Sequence, residues 1–242
     1  MGLDGDDGSD YLADCDEFFW QAVYAGQSSI AGLSYAQTIN YILLAQIFVP
    51  LLQGDAIFAF GFMAREGTIA IELLRPIDFQ GRFYAEQLAR MATVVVLKIP
   101  LLIVAMIFFD LRLPLNPLIW LAFLSTLLLG HAVLFCFDWI FGCLSFYSTE
   151  TWGLSVMREG MATFFSGALV PLALMPGWLR SLTEALPFAQ ALYVPVAVLS
   201  GITPLSDVPR SLLIQVAWLT GLLIVSRVVF RRTVRRVTVQ GG

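Results

Sequence analysis

A polar, acidic front and a basic tail flank a long apolar middle. Within that middle, five stretches are predominantly apolar over roughly 20 residues or more, the length an α-helix needs to cross a hydrocarbon core of ~30 Å. They run over 36–62, 89–109, 117–146, 152–175 and 211–230. The first is interrupted by Asp55, so its second half is expected to leave the hydrocarbon and continue as an amphipathic helix. The third is long enough to tilt or protrude. Six of the 11 prolines (Pro171, Pro176, Pro187, Pro195, Pro204 and Pro209) fall between 171 and 209. Proline ends helices and stiffens turns, and the apolar pieces between these prolines are each too short to span. Two short re-entrant or interfacial helices are expected there, with Trp178, Phe188 and Tyr193 suited to the headgroup zone.

Basic residues orient the bundle. Residues 64–90 hold Arg65, Arg75, Arg82 and Arg90, and the last 16 residues hold Arg227, Arg231, Arg232, Arg235 and Arg236 with no acid. The bias of arginine toward the cytoplasmic side places both segments inside. Five crossings then put residues 1–33 and the proline-rich 176–210 segment outside.

Composition sharpens this picture. Of 242 residues, 58% are apolar and only 13% charged; a soluble domain carries about 25% charged residues, so a soluble fold is excluded. The formal net charge of -4 hides a segregation, because Asp4, Asp6, Asp7, Asp10, Asp14, Asp16 and Glu17 all precede the first basic residue. Arginines beside a membrane helix are a topology signal or a lipid contact rather than a nucleic-acid footprint. The three cysteines, Cys15, Cys136 and Cys143, are too few and too apolar in setting for a disulfide scaffold. No basic start and apolar core of a secretory signal is visible.

Catalytic constellations are largely excluded. His131 is the single histidine, so a multi-histidine zinc site is ruled out, and it is expected to hydrogen-bond between helices. The GxxxxGK[ST] pattern of a P-loop does not occur, so this chain cannot itself hydrolyse ATP in that manner. Ionisable side chains within apolar stretches are expensive unless paired or wetted. Lys98 and Asp138 each lie about eight residues from a cytoplasmic helix end, a depth of ~12 Å at 1.5 Å per residue, and Arg158 and Glu159 are slightly shallower. Lys98, Asp138, Arg158 and Glu159 are therefore expected to meet near the inner leaflet, either tying helices together or lining a pathway.

The loop AREGTIAIELLRPIDFQGRFYAEQLAR, residues 64–90, is the most informative segment. Thr68 can cap a short helix, with Glu72 following, and Ile69, Ile71, Leu73 and Leu74 make it apolar on more than one side. Pro76 ends it. Such a stub needs a partner to cover it, either lipid or a cytoplasmic protein.

At this loop the chain resembles the ABC type-2 transporter permeases, in particular a bacterial branch with an sGxLxxxLLRPI signature. FSGALVPLALMPGWLRSLTEALPF (165–188) and YVPVAVLSG (193–201) resemble two further blocks of the family, in the same order. The resemblance implies an all-α integral membrane protein of about five transmembrane helices, where the family normally has six, plus a cytoplasmic coupling helix and short outer re-entrant helices. Only the end of the family's first helix, Phe18–Gly26, is recognisable, so residues 1–33 are expected to be an acidic segment with a helix remnant. The permease domain would cover 34–232 and a basic tail 233–242. The resemblance further implies a permease subunit, itself no enzyme, that carries no cofactor or metal. It would pair with a second permease and with a cytoplasmic ABC ATPase dimer holding ATP and Mg, in a bacterial plasma membrane. Glu66, Gly67, Thr68, Leu73, Leu74, Arg75 and Pro76 would be the coupling residues. The rival readings from the residues are an ion-driven transporter or channel built on the Lys98–Asp138 cluster, and a membrane scaffold that recruits a cytoplasmic partner.

Overall fold

The first spanning stretch starts at a reciprocal cap. Ser34 Oγ accepts the Gln37 N–H at 3.3 Å while Gln37 Oε1 accepts the Ser34 N–H at 3.1 Å, satisfying donors that a helix start leaves orphaned and opening α1 (Tyr35–Phe48). A two-residue hairpin, β1 (Ser29–Ile30) against β2 (Leu33–Ser34), leads into it. The computed structural model describes residues 20, 23–24, 29–109, 111–148 and 151–235. The acidic run Asp4–Glu17 with Cys15, most of Phe18–Gly26 and the tail beyond Arg235 lie outside the described residues.

Pro50 breaks the first span. It has no N–H to donate to the carbonyl four residues back, and the chain passes through a 3₁₀ turn at Val49–Leu52 and a non-helical stretch at 53–55 before α2 (Ala56–Arg65). The short α3 (Ile69–Leu74) follows, then two long helices, α4 (Phe79–Phe108) and α5 (Pro117–Leu144). Each long helix begins at a side-chain cap: Asp78 Oδ2 accepts the Gly81 N–H at 2.7 Å, and Asn116 Oδ1 accepts the Leu118 N–H at 3.0 Å. After α6 (Thr151–Phe165) come three short helices, α7 (Gly177–Glu184), α8 (Phe188–Ala191) and α9 (Tyr193–Leu199), and finally α10 (Val208–Val234).

Among the described residues, four helical stretches are long and apolar enough to cross a membrane: Tyr35–Arg65, Phe79–Phe108, Pro117–Leu144 and Leu205–Val234. The chain is an all-α, multi-pass membrane protein. The expected span over 152–175, the fourth of the five stretches, is not one helix. α6 has 15 residues, about 22 Å at 1.5 Å per residue, and stops before Gly167, whose φ of 80° belongs to the left-handed region. The first irregular residues that follow, Ser166–Ala168, are buried in protein. Tyr41 Oη donates to the Gly167 carbonyl at 2.8 Å and Gln46 Nε2 to the Ala168 carbonyl at 3.5 Å, so carbonyls released from the helix find donors on α1, as backbone away from water requires. The four candidate spans among the described residues do not supply the odd count used above, and sidedness rests on the arginine bias.

α5 is the hub, packing against α10, α9, α2 and α8. Gly130 of α5 lies so close to the backbone of Gln190 and Ala191 that no Cβ fits, and Gln215 of α10 closes the same junction by donating to the Thr126 and Gln190 carbonyls, each at 2.9 Å. The proline-rich segment forms three short helices rather than two. Trp178 is exposed on α7, but Phe188 is buried against Phe137 and Phe165, with ring centroids 4.7 and 6.0 Å away, so it belongs to the core and not to the headgroup zone.

Candidate functional site

Two places on this scaffold combine unusual backbone with chemistry-bearing side chains. One is the break in the first span. Non-helical backbone at membrane depth is tolerated where it is buried in protein or borders a water-filled cavity, and residues 53–55, with Gly54 and Asp55 partly buried, line a cavity. Gly54 presses on a buried ion pair: a Cβ there would collide with the Asp138 carboxylate and lie 3.2 Å from Arg158 Nη2. Arg158 Nε donates to Asp138 Oδ1, joining α6 to α5 with Arg158 3% and Asp138 8% exposed. Such a pair earns little net stability against an apolar replacement, but losing one partner strands the other charge.

Beside the pair lies a cavity of about 350 Å³. Asp55 borders it and accepts from Gln87 Nε2 at 2.6 Å and from Arg90 Nη1, both on α4. Phe58, Met91, His131, Arg158 and Glu159 also contribute to its wall. His131 packs on the Tyr84 ring with centroids 5.8 Å apart, and its buried Nδ1 has no partner, so it makes no bond from that atom between helices as expected. Arg158 Nη2 is likewise buried and unpartnered.

The four charges expected to meet are only partly together. Asp138 and Arg158 pair. Glu159 is exposed on the cavity rim, and Lys98 is half-buried on α4 outside the cavity wall; among the described residues neither makes an ion pair. Lys98 sits on α4, whose apolar span the rest of the chain leaves mostly uncovered, and it makes no ion pair with Asp138.

The second place is the segment between α2 and α4. Glu66 ends α2, Gly67 turns the chain at φ 68°, and Thr68 adopts a helical conformation from which its side chain caps nothing; the expected threonine cap is absent because the residue already sits inside the turn. Arg75 is extended, as a residue before proline must be, so α3 stops ahead of Pro76. Ile69 is buried and anchors the stub. Ile71 and Leu74 point outward, Leu74 being 83% exposed, while Leu73 is only just exposed at 38%.

The stub is tied down on several sides. Glu72 pairs with Arg82 of α4 and lies 3.5 Å from Arg75, and Arg82 also holds Glu86 at 2.9 Å. Asp78 is gripped by both guanidinium nitrogens of Arg227 on α10, with Nη2 to Oδ2 at 2.7 Å. That bond and the Gly81 N–H hold its carboxyl below the ordinary value of 3.8, against a smaller opposing push from burial. Gln80 Nε2 adds a second link to α10 through Ser226 Oγ at 2.9 Å.

Behind the stub sits an aromatic box that residue order alone does not reveal. Phe60 of α2 stands edge-on to Trp139 of α5 at 4.8 Å, Phe79 of α4 lies 5.3 Å from Trp139, and Phe230 of α10 lies 5.1 Å from Trp139 and 5.6 Å from Phe79. Ile69 belongs to the same buried cluster. Close-packed interiors transmit displacement rather than absorb it, so a push on α3 reaches four helices through one box. The only advance signal was the density of aromatics at 79–84 and 135–146.

Compared with known proteins, residues 14–241 match the family model described as ABC-2 family transporter protein. No curated protein and no solved structure gives a match.

Proposed function

The chain belongs to the ABC-2 transporter family, a family of non-catalytic membrane permeases, and from that premise we propose that it is the membrane half of an ATP-driven exporter in a bacterial plasma membrane. In this reading α3 is the coupling helix. It docks in a cytoplasmic ABC ATPase that binds ATP and Mg, and a second permease subunit, identical or related, completes the transporter. The observation that carries the reading is the tethered stub: Ile71 and Leu74 present an apolar face outward while Ile69, Glu72 and Asp78 fasten the same few residues to α2, α4, α5 and α10. A surface that is both greasy outside and rigidly fastened inside suits receipt of force better than rest on lipid.

Glu66, Gly67, Thr68, Leu73, Arg75 and Pro76 then set the turn, exposure and stop of the coupling helix. An ion-driven alternative built on Lys98 with Asp138 is not favoured, since Asp138 is committed to Arg158.

The test is the double substitution Ile71→Glu with Leu74→Glu. Residues three apart share a helix face, so both charges fall on the docking surface and leave Ile69 in place. The purified chain should lose the P-loop ATPase that accompanies the unaltered protein, while its thermal unfolding stays the same. Retention of that ATPase at full yield would refute the docking assignment.

A further inference from the structure

The cavity at the break of the first span is bordered by one charged group without a protein partner and by another with an unmade donor. Arg158 is 3% exposed and spends only Nε on Asp138, leaving Nη2 buried with no acceptor. A buried donor left unmade is costly, more so on a charged group, and Arg158 borders the cavity. One residue later, the Glu159 carboxylate borders the same cavity and makes no ion pair among the described residues.

The other charges around this space are already engaged: Asp55 by Arg90 and Gln87, Asp138 by Arg158. Counting Asp55, Asp138 and Glu159 against Arg90 and Arg158, the surroundings carry one excess negative charge, which disfavours a net anion. A simple cation would satisfy Glu159 and leave the Arg158 donor orphaned. A ligand bearing both charges answers both groups. Phe58 and Met91 supply apolar wall, and about 350 Å³ falls within the range of small-molecule sites, about 300–1,000 Å³.

We infer that this cavity binds a small zwitterion, its acid group toward the Arg158 guanidinium, its ammonium on the Glu159 carboxylate and its apolar body against Phe58 and Met91. That the ligand is a transported substrate rests on the exporter reading; its binding needs only the cavity.

Three probes with one body separate the charges: phenylalanine, phenethylamine, which lacks the acid, and 3-phenylpropionate, which lacks the amine. Binding is measured to the purified full chain in lipid nanodiscs. Phenylalanine should bind at least about tenfold more tightly than either relative, a difference of about 1.4 kcal/mol. Glu159→Gln, at an exposed residue without a protein partner, should abolish its advantage over 3-phenylpropionate. Arg158→Lys, which keeps a cation for Asp138 but loses the second donor, should abolish its advantage over phenethylamine.

Equal binding of the three probes, no measurable binding of phenylalanine, or an unchanged preference in Glu159→Gln would overturn the proposal. ATPase capture by the same preparations keeps the two readings apart. A phenylalanine preference without any bound ATPase sinks the exporter reading alone, and ATPase capture without the preference sinks the zwitterion site alone.

Discussion

Consider first what happens when the Asp138–Arg158 pair is dismantled one side at a time. Asp138 is 8% and Arg158 3% exposed, and Gly54 seals the pair from the side of the broken span. Asp138→Asn leaves a buried guanidinium with no counter-charge in the protein, and Arg158→Met leaves the carboxylate in the same position. Each single change should destabilise by about 3–5 kcal/mol. The double variant Asp138→Leu/Arg158→Met removes both charges and both desolvation penalties, and should lie within about 1 kcal/mol of the parent or above it. The assay is denaturant unfolding of the purified chain in mixed micelles, followed by tryptophan fluorescence, to which Trp139 contributes from the residue next to Asp138. Non-additivity is the signature. If the double variant falls by the sum of the two singles, the residues do not interact and the ion pair is refuted; singles that lose less than about 1 kcal/mol would place both groups in water.

Two further substitutions probe neighbouring features. Gly54→Ala should destabilise by about 1–3 kcal/mol, the range for overpacking, because its Cβ meets the Asp138 carboxylate. Gly160→Ala in α6, where a Cβ meets nothing within 4 Å, should instead stabilise by up to about 1 kcal/mol; equal unfolding midpoints for the two variants would discount the close approach at Gly54. At Asp78 the folded-state value is depressed, so its pairing with Arg227 contributes above the ordinary 3.8 and fades as the pH falls through the lowered value. The unfolding midpoint of the unaltered chain should therefore drop on acidification below 3.8 by more than that of Asp78→Asn, modestly because both partners are about half exposed, and parallel acid profiles would contradict the linkage.

Much of the helical layout can be read from residue order, because length and apolarity alone decide whether a segment can cross a bilayer. The stub between Gly67 and Pro76 is legible for a related reason: a positive-φ residue and a proline bound it at both ends. The stretch over 152–175 misleads because apolar composition continues past Phe165 while the backbone turns at Gly167, and hydropathy does not register a turn that the protein buries. Depth along an axis follows from counting, but azimuth follows from packing. Counting set Lys98 level with Asp138, yet nothing in an evenly apolar helix says which way its lysine faces. The Asp78–Arg227 grip and the aromatic box join residues roughly 150 positions apart, and such contacts exist only after the helices have assembled.

That last fact bears on how the protein is made. The elbow around Asp78 emerges from the ribosome long before Arg227, Ser226 and Phe230, so during synthesis its anchor on the final helix does not yet exist. Until that helix inserts, the segment is held only by Glu72, Arg82 and its own early neighbours. Completion of that helix is thus the event that latches the elbow, and a nascent chain halted before residue 226 carries the stub without its fastening to Ser226 and Arg227.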